Sequence, residues 1–480
     1  MGQRFFIETW GCQMNELDSQ RMHGQLMRQN LLPTRDVNEA DVILLNSCSV
    51  REKAQQKAYS RLGEYRLLKR RRPEIVIGFC GCVAEQEGKR ALKRVPELDF
   101  VLGTGRISEL GDIVRSVHGG ARPVVVGFPS QPDYDFEVIH RSGAYKGMVT
   151  VVEGCNKRCT FCIVPTTRGP ERCRPLTVIL EEVRHLVEYG FVEIELLGQT
   201  VNHWRGSDSR GDLDFADLLD AVALTPGLER LRFITSYPRD FSARMVASVA
   251  RHANICPYLH LPVQSGSDRT LQRMGRGYTV DDYRSLVTSL REARSGLALS
   301  TDIIVGFPGE TDDDFRQTLD LIEEIGFSGI FAFKYSPRPG TAALRLGDEV
   351  NDEIASQRLQ EVFAAQSRIQ LALNKELEGV TLEVLVTGVG KAPNSLTART
   401  ACHRVVVFPT GDGSGPQLDH QPRFGQLTRV VVERALPHSL LARQAGSSQT
   451  GSPSNSGAGH PGSMRLGRSL DIVSSVSENL

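Results

Sequence analysis

No sign of charge predominates in this chain: 57 Lys and Arg stand against 57 Asp and Glu, a formal net charge of +0 at pH 7. Such a balance gives no whole-molecule field for gathering a polyanion, so any contact with nucleic acid has to come from local patches. One such patch is the basic run at residues 66–72, which also reads as the solvated end of a helix. No stretch reaches the roughly 18 uninterrupted apolar residues that a membrane-spanning helix needs. A signal peptide is missing too, because the first residues run directly into a strand pattern, RFFIETW. The Met1-Gly2 start fails as a myristoylation signal, since Phe6 stands where that motif wants Ser or Thr. Internal repeats are absent. The expectation is a cytoplasmic protein with no membrane partner.

What is present is enough chain for about three domains at 480 residues. In residues 3–119, short apolar runs (RFFIET, DVILLN, EIVIGF, DFVLG) alternate with amphipathic stretches such as 18–29 and 52–70. This is the pattern of an α/β domain with a parallel sheet. Residues 141–372 carry six further strand candidates: GMVTVVEG, FVEIELLGQ, RLRFITSYP, YLHLPVQ, LSTDIIVGF and GIFAFKYS. Helical patterns at 177–189, 215–224, 280–294 and 311–325 lie among them, and a long charged helix follows at 352–378. Six β/α units predict a partial (β/α)6 barrel. Residues 376–442 change to TLEVLVTG, LTARTACHRVVVF and QLTRVVVERA, which predicts a small antiparallel β-barrel. The segment 444–480 is dominated by Ser, Gly, Gln, Asn and Pro and reads as a disordered tail.

Ten cysteines in a chain expected to stay in a reducing compartment are better explained by metal binding than by a disulfide framework. Cys155, Cys159 and Cys162 form C-x3-C-x2-C immediately after the first barrel strand, where the active sites of β/α barrels lie. A structural zinc site would want four protein ligands, whereas an iron–sulfur cluster held by three thiolates keeps one iron open for substrate. A zinc knuckle is the alternative. Cys12, Cys48 and Cys82 each fall just past a strand of the first domain, along the sheet edge where ligands bind. Again they are three. Buried structural cysteines are the rival reading there. Cys80 can be a fourth ligand, a redox partner or a core residue; Cys173, Cys256 and Cys402 have no spacing partners.

The segments TWGCQMNELDS, NSCSVREKA, GCVAEQEG and EGCNKRCTFCIVPTTRG resemble the methylthiotransferase branch of the radical S-adenosylmethionine superfamily. The resemblance continues through LLGQTVNHWRG, TSYPRDF, HLPVQSGSDRTLQRMGRGY, STDIIVGFPGET and FKYSPRPGT. It ends in GQLTRVVVERALPHSL, which is similar to a TRAM domain, a small RNA-binding barrel. Residues 3–441 are covered. The resemblance implies a radical enzyme that attaches a methylthio group to C2 of an adenosine in tRNA, nearest to the branch acting on the N6-dimethylallyl adenosine beside the anticodon. It implies two [4Fe-4S] clusters, an auxiliary one on Cys12, Cys48 and Cys82 and a radical-generating one on Cys155, Cys159 and Cys162. Two molecules of S-adenosylmethionine serve as methyl donor and radical source. An electron donor such as flavodoxin or ferredoxin and a sulfur source are the further implied partners, and a monomer is the expectation. Departures from the family pattern are Ser47, Cys80, Cys173 and Tyr237, none of which removes a ligand.

The target C2–H is not appreciably acidic and its carbon carries no leaving group, so acid–base residues alone do not suffice, and the radical chemistry falls to cofactors. Gln199, Ser236, His260, Gln264 and Asp302 sit at or near strand ends as polar candidates for the S-adenosylmethionine pocket. The glycine-rich turn at 306–310 allows a close backbone approach to a ligand. For RNA, Arg399, Arg404, Arg423 and Arg429 are phosphate candidates, with His403, Phe408 and Phe424 for stacking.

Overall fold

The computed structural model describes residues 2–49, 52–130, 135–141, 145–209, 211–410 and 423–446. Most of the expected tail, 447–480, lies outside the described residues. The first domain is a six-stranded sheet in the order β2-β1-β3-β4-β5-β6. Its strands are β1 (Arg4–Trp10), β2 (Leu32–Pro33), β3 (Val42–Ser47), β4 (Val76–Gly81), β5 (Phe100–Leu102) and β6 (Val124–Val125). All neighbouring pairs are parallel. Every residue of β3 and β4 is buried, which is why both read as continuous apolar runs rather than as alternation. Helices α1 (Gln13–Arg28), α2 (Glu52–Arg71), α3 (Cys82–Glu87), α4 (Lys89–Arg94) and α5 (Leu110–His118) connect and cover them. The basic run at the end of α2 is engaged in ion pairs, with Lys69 on Asp99, Arg70 on Glu97 and Arg72 on Asp41.

The second domain has six parallel strands in chain order, as six β/α units predict. They are β7 (Lys146–Glu153), β9 (Glu193–Gly198), β12 (Arg230–Phe233), β13 (Tyr258–His260), β14 (Ala298–Val305) and β15 (Gly329–Lys334). A bridge between Leu231 and Ile255 joins the two halves of the series. Unforeseen additions are an antiparallel edge strand, β8 (Arg172–Cys173), and a hairpin, β10 (Gly206–Asp208) with β11 (Gly211–Leu213). Helices α6 (Val164–Thr167), α7 (Leu176–Glu188), α8 (Phe215–Ala223), α9 (Ala243–Arg251), α10 (Asp268–Arg273), α11 (Val280–Ala293) and α12 (Asp312–Ile325) follow the strands, and α13 (Asp352–Lys375) leads away. Thr279 with Asp282 and Thr311 with Asp314 form capping boxes that start α11 and α12, each satisfying two otherwise orphaned backbone N–H groups.

The first domain packs against this partial barrel at β7 and β9. Met14 and Leu17 of α1 pack against Met148 of β7, Leu197 of β9 and Ile139. The segment 135–141 lies so close to α1 that a Cβ on Gly24 would stand 1.5 Å from the Val138 carbonyl oxygen. Gly24→Ala is therefore expected to force α1 away from this segment and destabilise the fold by about 1–3 kcal/mol. A thermal midpoint unchanged from wild type would contradict this packing.

The last domain is a closed barrel ordered β16-β17-β18-β20-β19. Its strands are β16 (Thr381–Val389), β17 (Ser395–Thr400), β18 (Val405–Pro409), β19 (Leu427–Ala435) and β20 (Leu440–Gln444). The antiparallel expectation holds for all pairs but one, since β18 and β20 run parallel. The single predicted segment LTARTACHRVVVF splits into β17 and β18 at a turn where His403 takes a positive φ of 68°. That turn docks on the barrel floor. His403 stacks on Tyr258 at 5.0 Å, Arg230 Nη1 donates to the Arg399 carbonyl at 3.0 Å, and Arg232 Nη2 donates to the Thr400 carbonyl at 3.1 Å.

Candidate metal centres

The three parallel strands β1, β3 and β4 are adjacent and in register, with Trp10 beside Ser47 and Ser47 beside Gly81. Their carboxyl ends therefore bring Cys12, Cys48 and Cys82 to one point of the sheet edge. Cys12 caps α1, Cys48 donates its backbone N–H to the Trp10 carbonyl at 2.9 Å, and Cys82 opens α3. Interaction with Cys48 pulls Cys12 down to about 6 and Cys82 down to about 7, while the same neighbours together with burial push Cys48 itself up. Gly81 is required at this crossing: its φ is 91°, and a Cβ there would lie 2.3 Å from Asn46 Oδ1. Asn46 in turn donates to the Asn15 carbonyl at 2.8 Å, and Asn15 Oδ1 accepts from Cys12 Sγ at 3.4 Å. Cys80 stays apart. It is fully buried among Phe5, Met22, Leu44 and Phe100, and its thiol is pushed up by burial alone, so it is a core residue.

The second trio follows β7. The Gly154 N–H donates to Gln199 Oε1 at 2.5 Å, and the Cys155 N–H donates to the Gly169 carbonyl at 3.2 Å. Thr160 ties the loop to the segment after α10, its N–H on the Met274 carbonyl at 2.9 Å and its hydroxyl on the Arg273 carbonyl at 2.9 Å. Cys155 Sγ lies 3.4 Å from the Thr200 hydroxyl, and Cys159 Sγ accepts from Arg276 Nη1 at 3.5 Å. Burial and the neighbouring Cys159 push Cys162 up to about 12. Arg276 is held in place by Tyr237 and Tyr278, whose rings lie 4.4 and 5.3 Å from its guanidinium carbon. Tyr237, one of the departures from the family pattern, thus touches the residue that touches Cys159.

The five pocket candidates cluster at the same barrel mouth but do not play one role. Gln199 is committed to the Gly154 backbone. His260 Nε2 lies 3.1 Å from Asp302 Oδ1, forming a pair inside the barrel. Ser236 is 2% exposed, and its hydroxyl has no hydrogen-bond partner among the described residues. Thr235 and Gln264 take positive φ values of 65° and 79°, a strain that concentrates at functional sites. The turn at 306–310 is a packed one: Gly306 donates its N–H to Glu310 Oε2 at 2.6 Å, Glu310 pairs with Arg358 at 2.7 Å, and a Cβ on Gly306 would meet Ala355. Gly306 serves close packing on α13, and Gly309 leaves room for the Arg273 guanidinium.

Sequence reading missed the cation beside the first trio. Arg168, six residues past Cys162, ion-pairs with Asp18 of α1 at 2.8 Å, with side chains 8% and 1% exposed. Its charge acts on Cys12 and Cys82, lowering both. The expected RNA residues divide as well. Phe408 is 1% exposed in the small-barrel core, His403 is half-buried and stacks on Tyr258, Arg399 donates to the His403 carbonyl, and Arg404 donates to Asn374 Oδ1 at 2.9 Å. Only Arg423, Phe424 and Arg429 of that set are exposed.

All ten cysteines are free. Among the described residues no three His, Cys, Asp or Glu side chains converge as a single-ion centre would require. Each trio offers instead what an iron–sulfur cluster takes: thiolate donors only, three in number, largely withdrawn from solvent, with an arginine close by. A partial β/α barrel with such a trio at the end of its first strand defines a radical S-adenosylmethionine protein. The Radical SAM superfamily model matches residues 149–322, and the model of uncharacterized protein family UPF0004 matches residues 4–103. A solved relative in fold is the radical S-adenosylmethionine methyltransferase TsrM from Kitasatospora setae, with a TM-score of 0.51 and 14% identity, covering 83% of this chain and 77% of that one. In sequence, the chain is 44% identical over 447 residues to tRNA-2-methylthio-N(6)-dimethylallyladenosine synthase of Pseudomonas aeruginosa, covering 92% of this chain and 98% of that protein. It is 41% identical over 422 residues to the synthase of the same name from Bdellovibrio bacteriovorus, covering 87% and 92%. The chain belongs to the tRNA-2-methylthio-N(6)-dimethylallyladenosine synthase family.

Proposed function

We propose that this enzyme methylthiolates C2 of N6-dimethylallyladenosine at position 37 of tRNA, consuming two molecules of S-adenosylmethionine. The observation that carries the reading is the pair of thiolate trios, one at the sheet edge and one at the barrel mouth, joined through Arg168. Cys12, Cys48 and Cys82 hold the auxiliary [4Fe-4S] cluster, and Cys155, Cys159 and Cys162 hold the other. When bound, the clusters and S-adenosylmethionine supply radical activation of the C–H bond together with the sulfur and the methyl group.

The protein's own part is positional. Gln199 fixes the Gly154 turn so that the three thiolates of the loop face the barrel mouth. Ser236, His260, Gln264 and Asp302 give the polar contacts for S-adenosylmethionine, with the Ser236 hydroxyl free to donate. The packing of α1 on β7 and β9 ties the helix that Cys12 caps to the strand that leads into the Cys155 loop. Residues 3–119 serve as the auxiliary-cluster domain, 141–372 as the radical core and 376–442 as the RNA-binding barrel. The exposed Arg423, Phe424 and Arg429 grip the tRNA, two by phosphate contact and one by stacking. A reductant such as flavodoxin or ferredoxin and a sulfur source complete the reaction in the cytoplasm. No helix among the described residues is long and apolar enough to cross a membrane.

Anaerobically reconstituted enzyme, incubated with tRNA bearing the dimethylallyl group, is expected to add one methylthio group to that nucleoside, read by mass spectrometry after digestion. Product formed only on threonylcarbamoyl adenosine, or only on a ribosomal protein, would refute the substrate. Combined Arg423→Ala, Phe424→Ala and Arg429→Ala should weaken tRNA binding by roughly 10–100-fold, in keeping with ~1–3 kcal/mol for a stacked base plus phosphate contacts. Cleavage of S-adenosylmethionine without tRNA should be unaffected by that triple change.

A further inference from the structure

The Arg168 segment touches both centres at once. Its side chain runs to Asp18 of α1, the helix that Cys12 caps. The carbonyl of the next residue, Gly169, accepts the Cys155 N–H at 3.2 Å. The residue before it, Thr167, accepts a hydrogen bond on its carbonyl from the Thr104 hydroxyl at 2.7 Å, a second buried tie to the first domain. Gly169 takes a φ of 79°, and a Cβ there would lie 2.6 Å from the Phe128 ring, so the segment has no room to shift. Three consecutive residues therefore lock the barrel loop and the first domain together. Arg168 itself is 7% exposed. Arg168 Nη2 and Asp18 Oδ2 stand 2.8 Å apart without an aligned hydrogen bond among the described residues, and the charge of Arg168 also acts on Cys12 and Cys82.

We propose that Arg168 is a positioning residue common to both centres: it pins α1 to the radical loop and supplies the positive charge that holds the auxiliary cluster at a raised reduction potential. The proposal rests on the assignment of Cys12, Cys48 and Cys82 as ligands of that cluster. A cluster held by three thiolates gains negative charge on reduction, and a fixed cation in a buried setting favours the reduced form. Asp18 has the opposite effect. A buried arginine with only a spacer role would act on assembly alone and leave the potential of any assembled cluster where it was.

The test uses the full chain carrying Cys155→Ala, Cys159→Ala and Cys162→Ala, so that only the auxiliary centre can assemble. Iron and sulfide are measured, and the midpoint potential is read by anaerobic titration with optical or EPR detection. Arg168→Gln is expected to shift the potential to a more negative value. Arg168→Lys, which keeps the charge, should restore most of the wild-type value, and Asp18→Asn should move it positive. Equal potentials for Arg168→Gln and wild type at full iron and sulfide content overturn the proposal, as does a Lys variant as low as the Gln variant. Should Arg168→Gln fail to retain the cluster, Asp18→Asn decides: a raised potential supports the proposal and an unchanged or lowered one refutes it. If no iron or sulfide is taken up with Arg168 intact, the ligand assignment itself is wrong, and the proposal falls with it.

Discussion

Cys159→Ala is expected to abolish formation of 5′-deoxyadenosine from S-adenosylmethionine, by more than about a thousandfold, or ~4 kcal/mol of lost barrier lowering. Cys159 is the middle thiolate of its loop and the one that accepts the Arg276 hydrogen bond at 3.5 Å. No other cysteine is placed to substitute for it. Cys173 lies on β8 accepting the Arg205 N–H at 3.3 Å, and Cys256 is buried near Arg230 and Arg232. Loss of one of three ligands therefore leaves an incomplete cradle, and iron content should fall to the auxiliary share. Chromatography of anaerobic reaction mixtures checks the result. Sustained cleavage in this variant would mean that the loop does not hold the radical-generating centre.

Cys48→Ala is expected to separate the two halves of the reaction. Cleavage to 5′-deoxyadenosine should stay within about tenfold of wild type, whereas methylthio product should drop by more than about a hundredfold, or ~3 kcal/mol. Cys48 is the sulfur that interacts with both Cys12 and Cys82, so its removal opens the auxiliary trio at its centre. The barrel loop is anchored elsewhere, to Gln199, Met274 and Arg273, and has no need of Cys48. Cys80→Ala is the control. That thiol belongs to the apolar core beside Phe5 and Phe100, so the change should cost about 1 kcal/mol of stability at most and leave product formation intact. Product loss in Cys80→Ala comparable to that in Cys48→Ala would place Cys80 among the ligands.

Local chemistry was the most legible part of the sequence. C-x3-C-x2-C needs no tertiary information, since one short loop brings its three sulfurs together. Cys12, Cys48 and Cys82 were readable because parallel strands end on a common edge, and burial of every residue in β3 and β4 kept those strands recognisable. Arg168 was not legible. A lone arginine carries no spacing signal, and its partner Asp18 belongs to another domain. The RNA-contact set divided for a related reason. Charged residues on a strand usually face solvent, but the β17–β18 turn meets the barrel floor through His403 on Tyr258, Arg399 is taken up by the His403 carbonyl within the turn, and Arg404 by Asn374 of α13. Gln199 follows β9, as a residue at a strand end should, and its amide oxygen is taken by the Gly154 backbone, a contact that strand placement alone did not reveal.

The seating of His403 on Tyr258, with Arg230 and Arg232 gripping adjacent carbonyls, bears on how one base is chosen from many. A nucleic-acid grip hung on a loose tether would sample a wide arc and present neighbouring bases almost equally well. Here side-chain contacts fix the small barrel against the floor of the larger one. On the proposed role of the Phe424 edge in holding tRNA, the molecule would then act as a fixed gauge, measuring position along the RNA by length and leaving the identity of the base to the mouth.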